Sequence, residues 1–533
     1  MKKHNISKVV LVTILIFLVL TWIIPAAYYS GEYVDQGRVQ MGLFDLFSYP
    51  LTALSYFGYI ALFLILVGGF YGVLFKIPAY RSFLDKIVDL SKGKEKVVLS
   101  IMVVLIALLV SICGAQIGVA IFIPFVVSLI LLMGYDKIVA AFVTVGSISA
   151  GLIGNTYATS NSSILTNALG LNYDFQIGVR FVLLLVAVVL VIFNMLMYIK
   201  KTTNGVKIEK KTVKKVEEKV EEVKVEVSKE HKAPAKKSTS KSTKTSGKKT
   251  NSKSSSKSRK SVNKAALKDE DIIVIKDNMV ESDLIPKADN DKHLIWPFGL
   301  ILFLIFVLYV LAFLPWASFG VTLFDDVTKA ITDFELFGFP IFAKILGSIN
   351  SFGNWSITDM FLPLALSVLL LSFIYNLSMK EIHDGFVEGA KRALAPAAIV
   401  VLLYSVLVLV TYHPFQLTVY KTVLGFTKGF NIVTTGVVAI LCGLFNSDIA
   451  YSFQSVAPYY ASVITKADNF GLAAIIFQSL YGLTMLVAPT SLALLCTLSF
   501  LNVSYKEWFK MVAKLLLELF VILLIVFIIL AVI

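Results

Sequence analysis

The chain has 533 residues, of which 57% are hydrophobic and 16% charged, and its mean hydropathy is +0.80. A soluble domain carries roughly 45–50% apolar and about 25% charged residues, so this balance excludes a soluble enzyme, a disulfide-stapled secreted scaffold and a wholly disordered chain. The net charge of +14 is no nucleic-acid signature, because residues 200–264 alone hold 22 Lys/Arg against 7 Asp/Glu and leave the remainder near neutral.

The first apolar run, Val9 to Ala27, follows Met-Lys-Lys-His. Many spans follow it, so it reads as an uncleaved first helix rather than a signal peptide. Further runs fall at roughly 58–75, 97–113, 117–134, 138–154 and 179–199, then at about 294–315, 357–376, 393–411, 431–446, 451–466, 470–488 and 509–533. About 20 residues cross the hydrocarbon core as a helix. The expectation is an all-α polytopic membrane protein of about 12–13 membrane segments, several of them interrupted.

Charge orients these segments by the positive-inside rule. Lys76, Arg81, Lys86, Lys92, Lys94 and Lys96 place 76–96 in the cytoplasm, while Glu32, Asp35 and Asp45 against Arg38 place 28–57 outside. Lys200 and Lys201, then Lys380, Lys391 and Arg392, then Lys506, Lys510 and Lys514 mark further inside segments. The N-terminus and the basic linker are thus expected in the cytoplasm and the C-terminus outside.

Composition divides the chain into an N-terminal membrane half (1–199), a basic linker (200–292) and a C-terminal membrane half (293–533). From Ser238 to Ser261 the linker is Lys/Ser/Thr repetition without an apolar residue. It has no core to bury and is expected to be disordered. Two readings stay open for it: a plain tether, or contact with anionic membrane lipids, worth about 1 kcal/mol per basic residue near the surface. Cys113, Cys442 and Cys496 lack metal-ligand spacing and read as buried apolar thiols. Trp22 and Trp508 read as interfacial anchors, and Gln478 as an interhelical hydrogen bond.

The two halves share markers in the same order. Tyr80-Arg81-Ser82-Phe83-Leu84 and Ser91-Lys92-Gly93 answer to Tyr420-Lys421-Thr422-Val423-Leu424 and Thr427-Lys428-Gly429. Leu171-Asn172-Tyr173-Asp174 answers to Leu501-Asn502-Val503-Ser504-Tyr505. The charge rule puts the first copy's marker inside and the second's outside, so two inverted-topology repeats are expected, at about 44–199 and 385–533.

Polar islands interrupt both halves. Gly154 through Ser163 includes Asn155, Thr156, Thr159, Ser160 and Asn161. In the second half Pro489, Thr490 and Ser491 interrupt an apolar stretch, and Asn446 and Asp448 form a further island opposite Ala115-Gln116. Proline breaks the helix, freed backbone at membrane depth survives only beside a cavity or inside protein, and helix N-termini there suit a carboxylate. These residues are the candidate substrate contacts, re-entrant hairpins the expected geometry, and Asn155, Asp448 and Thr490 the candidate ligands of a coupling Na⁺. Kinks and N-caps are the bland alternative.

Several stretches carry a family resemblance: Thr21-Trp22-Ile23-Ile24-Pro25-Ala26, Gly42-Leu43-Phe44-Asp45-Leu46-Phe47, Leu66-Val67-Gly68-Gly69-Phe70, Gly134-Tyr135-Asp136, Asn155-Thr156-Tyr157-Ala158-Thr159, Asp384 through Ala390, Ala488-Pro489-Thr490-Ser491 and Tyr505-Lys506-Glu507-Trp508. With them the chain resembles the YfcC-like anaerobic C4-dicarboxylate carrier family of the ion transporter superfamily. The resemblance implies a secondary transporter, not an enzyme. It implies an elevator-type mechanism, a dicarboxylate or amino acid substrate, Na⁺, H⁺ or exchange coupling, a cell-membrane location and, by analogy with elevator carriers, a homodimer. The chain departs from the family pattern at Ala115-Gln116-Ile117-Gly118, where relatives carry an acidic pair, and around Asn446-Ser447-Asp448. An arginine/ornithine-like basic amino acid exchanger using Asp448 is the alternative within transport. A non-transporting membrane anchor or sensor is the alternative outside it.

Overall fold

A computed structural model describes residues 6–30, 32–114, 117–158, 167–202, 283–287 and 293–532. The helices in chain order are α1 (Ser7–Ile23), α2 (Asp45–Leu74), α3 (Pro78–Ser91), α4 (Glu95–Cys113), α5 (Ile123–Leu132), α6 (Lys137–Ile153) and α7 (Ile177–Thr202). They continue as α8 (Trp296–Phe313), α9 (Leu323–Thr332), α10 (Ile341–Leu346), α11 (Phe361–Ile374), α12 (Met379–Tyr412), α13 (Phe415–Leu424), α14 (Ile432–Phe445), α15 (Ile449–Val463), α16 (Asp468–Met485), α17 (Leu492–Leu501) and α18 (Tyr505–Val532). An antiparallel hairpin of β1 (Ala26–Ser30) and β2 (Glu32–Gly37) follows α1.

Among the described residues six helices are long and apolar enough to cross a membrane: α2, α4, α7, α8, α12 and α18. Seven shorter apolar helices of 10–17 residues, α5, α6, α14, α16 and α17 among them, fill the space between. The chain is a polytopic helical membrane protein. Two helices start well before the apolar runs that announce them. The run at 393–411 belongs to a helix that begins at Met379, because Ser378 and Glu381 form a reciprocal capping box that sets the start in polar sequence. The run at 58–75 belongs to a helix that begins at Asp45 and passes through Pro50.

The order of elements recurs. A long helix (α2; α12) leads to a short one (α3; α13), then a helix (α4; α14), a break, a helix (α5; α15), a helix (α6; α16) and an interruption, and each half closes on a long helix (α7; α18), which in the second half follows the short α17. The leading helices α2 and α12 pack against each other more extensively than any other pair. Gly68 and Gly72 on one helix meet Gly385 and Gly389 on the other, each pair spaced by four. A Cβ on Gly72 would collide with the Gly385 carbonyl, and one on Gly389 with the Gly68 carbonyl. Absence of side chains lets the two backbones touch, the general use of small residues at this spacing in membranes. Lys76 and Glu388, 2.6 Å apart, close one end of the seam.

Most of the linker, including the tract expected to be disordered, lies outside the described residues. Residues 283–287 are an exception. Ser128 Oγ on α5 donates to the Leu284 carbonyl at 2.6 Å, Arg81 Nη1 on α3 donates to the Pro286 carbonyl at 2.9 Å, and Pro286 is buried.

Candidate functional site

Both interruptions are buried, so each liberated carbonyl needs a hydrogen-bond donor. At the first, between α6 and α7, four consecutive carbonyls have one. Ser479 Oγ donates to Ile153 O at 3.0 Å, Ser111 Oγ to Gly154 O at 2.6 Å, Gln478 Nε2 to Asn155 O at 3.3 Å and Arg180 Nη1 to Thr156 O at 2.6 Å. The segment is pinned in return: the amides of Thr156 and Tyr157 and the Thr156 hydroxyl all donate to the Ser111 carbonyl, at 3.0, 3.2 and 3.1 Å. Asn155 and Thr156 are each 1% exposed.

The second interruption, between α16 and α17, is satisfied differently. Trp508 Nε1 donates to Leu486 O at 2.9 Å, the Tyr505 hydroxyl donates to Val487 O, and the Ser491 amide donates to Ala488 O at 3.0 Å. Pro489 offers no amide. The Thr490 hydroxyl donates to Gly443 O at 2.7 Å, and Ser491 caps α17. Ser111 and Gly443 each lie two residues before the last residue of α4 and of α14, so Thr156 and Thr490 grip the same place on corresponding helices.

Asn446 and Asp448 sit beside this second group, where α14 ends. The Asn446 carbonyl accepts from the Tyr481 hydroxyl at 3.0 Å and its Oδ1 from the Asp448 amide at 2.9 Å. Asp448 Oδ1 accepts the Tyr451 amide at 2.9 Å, which makes it the N-cap of α15. Its carboxylate is half-buried, within electrostatic reach of Tyr59 on α2, Tyr404 on α12 and Tyr481 on α16. Asn446 Nδ2 is buried with no partner among the described residues.

Direct contacts join the halves between these groups. Ser149 Oγ donates to Gly482 O at 2.5 Å and Ser479 Oγ to Ile153 O. Numbers fall along α16 as they rise along α6, so the two helices run antiparallel. Gly482 permits the approach, since a Cβ there would lie 2.6 Å from the Ile153 amide nitrogen. The first interruption therefore lies beside Gln478 and the second some ten residues further along α16, roughly 15 Å away. The structure thus gathers Asn155 and Thr156 at one end of the crossing, and Asn446, Asp448, Pro489, Thr490 and Ser491 at the other. Thr159, Ser160 and Asn161 lie outside the described residues. A separate crevice of about 60 Å³ runs between the α2–α12 pair and α5, α6 and α17, lined by Leu64, Val67, Pro124, Ile148, Pro396 and Phe500. Its described walls are mostly apolar, with Thr497 the polar exception.

Sequence reasoning missed Arg180, although a signal was present: it is the one charged residue from Ile177 to Ile199, and an ionisable residue in a span is a functional candidate by default. Trp508 corrects an expectation. It is fully buried and serves the second interruption rather than a membrane interface, because the freed Leu486 carbonyl requires a donor. Gln478 bonds across to the other half, but to the Asn155 carbonyl of the interruption rather than to a helix, and all three cysteines are buried and free. His413 is structural: the Tyr49 hydroxyl lies 2.5 Å from Nε2 and the Val39 carbonyl 2.7 Å from Nδ1.

Interrupted apolar helices whose broken backbone is held by buried polar side chains define a polytopic membrane protein with internal polar centres. The profile of the DcuC family, the C4-dicarboxylate anaerobic carriers, matches residues 39–242 and 300–532. That is well over half of the chain, and the chain belongs to this family, one of carriers and not of enzymes. It is also similar to an uncharacterized protein of Haemophilus influenzae, 30% identical over 146 residues, which are 27% of this chain and 28% of that relative.

Proposed function

We propose that this protein is a secondary active carrier of C4-dicarboxylates, driven by an ion gradient or by exchange. The observation that carries the reading is the pair of buried interruptions, each gripped by a threonine at the same place on its neighbouring helix. Family membership supplies the substrate class. The helix N-terminus at Ser491 suits a carboxylate of the substrate, and the oxygens of Asp448 and Thr490, which share one end of the crossing, suit a coupling Na⁺; Asn155, roughly 15 Å away along the helix, does not belong to that ion site.

The recurring element order and the antiparallel crossing of α6 and α16 favour two inverted repeats about an axis between those helices. The glycine seam of α2 and α12 favours a rigid wall, and the apolar crevice beside it a surface along which the remaining helices slide, as an elevator requires. In this reading 76–96 and the linker face the cytoplasm. The test is uptake into liposomes of purified protein under imposed Na⁺ and H⁺ gradients, with labelled dicarboxylates, monocarboxylates and amino acids. Dicarboxylate accumulation that is lost on replacing Asn155 and Thr490 by Ala is the expected result. Accumulation of basic amino acids alone would overturn the reading in favour of a cationic exchanger.

A further inference from the structure

We infer that Arg180 is the fixed positive charge against which a carboxylate of the transported anion is bound at the first interruption, and not only a cap for its backbone. The inference rests on the dicarboxylate reading above. Arg180 lies in the first turn of α7 and is 1% exposed. Nη1 donates to Thr156 O and Nη2 to Tyr173 O, both at 2.6 Å. Carbonyl oxygens satisfy donors but neutralise no charge. No carboxylate is within ion-pair distance of Arg180 among the described residues, Asp174 acts on it only through space, and its Nε is buried without a hydrogen-bond partner.

The second half of the molecule is an internal control. There the same task, capping freed carbonyls from the start of the half's last long helix, is done by Trp508 and Tyr505 of α18. Neutral donors suffice for it. A buried guanidinium with no carboxylate in direct contact is costly, so capping alone does not account for an arginine. A dianion does: it needs more compensation than helix N-termini provide, and guanidinium is the side chain suited to a carboxylate. Nε is the part of the group not committed to the protein.

The test uses the full chain in liposomes, with succinate and butyrate as labelled probes. Arg180→Gln removes the charge and, two bonds shorter, also releases the Thr156 and Tyr173 carbonyls; Arg180→Lys keeps the charge and loses the fork. Loss of a charge-assisted contact is worth about 10- to 100-fold in apparent affinity. Arg180→Gln should raise the KM for succinate by that factor and also lower the melting temperature, whereas Arg180→Lys should raise the KM less. Discrimination between succinate and butyrate should shrink in Arg180→Gln. An unchanged succinate KM in Arg180→Gln overturns the inference while leaving the carrier reading intact. So does an equal loss in Gln and Lys variants accompanied by an equal fall in melting temperature, which would mark a structural role. Wild-type protein that moves no dicarboxylate defeats the carrier reading itself, and this inference with it.

Discussion

The two interruptions solve one problem with different chemistry. Each frees carbonyls in a buried interior, and in each a threonine hydroxyl of the interruption grips a carbonyl of the neighbouring helix. The first then uses donors from three places, Ser111, the α16 pair Gln478 and Ser479, and Arg180. The second uses Trp508 and Tyr505 from α18 and its own Ser491 amide. The first is thus tied across to the other half and carries a cation. The second is tied only within its own half and stands beside an anion, Asp448. Shared scaffolding with opposite local charge separates what the architecture demands from what is specific to each end.

The most damaging way to break this correspondence is to pry α6 from α16. Gly482→Leu drives a side chain into the backbone of Leu152 and Ile153, and we expect destabilisation of about 3 kcal/mol or more, read as loss of the monodisperse peak in detergent. A wild-type melting temperature would refute the close crossing. Next come the two threonines. Thr490→Val removes the hydroxyl donor from the buried Gly443 carbonyl and should cost about 1–3 kcal/mol. Thr156→Val should cost less than about 1 kcal/mol, because two amides still serve the Ser111 carbonyl. Thermal melts of both variants check the order, and the reverse order would mean that the anchors differ.

Asp448→Asn sharpens the charge contrast. Asn caps a helix as well as Asp, so stability should change by only a few tenths of a kcal/mol. Ion-driven uptake should fall about tenfold if a carboxylate is needed there, a contact of charge-assisted strength; uptake within twofold of wild type would leave Asp448 a cap. The smallest effect belongs to Gln478→Leu, which removes a 3.3 Å bond to the Asn155 carbonyl and should lower stability by about 1 kcal/mol, again by thermal melt.

The membrane character and the places where helices break were legible because both are written locally. An apolar run declares itself, and Pro489 or the polar string at Asn155 declares its end. Helix starts at Met379 and Asp45 were not, since hydropathy is silent about the polar turn that a capping box adds before the apolar run of the Met379 helix and about a helix that runs on through Pro50. The roles of Arg180 and Trp508 depend on which carbonyls a distant segment leaves open, and that is a property of packing, not of spacing. The described candidate residues lie at helix breaks, but their division into two groups roughly 15 Å apart follows from an antiparallel crossing that a single chain pattern does not encode.

The glycine seam has a consequence for how the two halves belong together. Gly68 and Gly72 lie backbone to backbone with Gly385 and Gly389, and Lys76 closes the end of the seam against Glu388. Helices that are not covalently joined associate in membranes through seams of this kind. On that ground the halves should behave as two subunits that travel on one polypeptide, and the basic segment between them should not be what holds the molecule together. Its length and composition are left to answer to other demands than assembly.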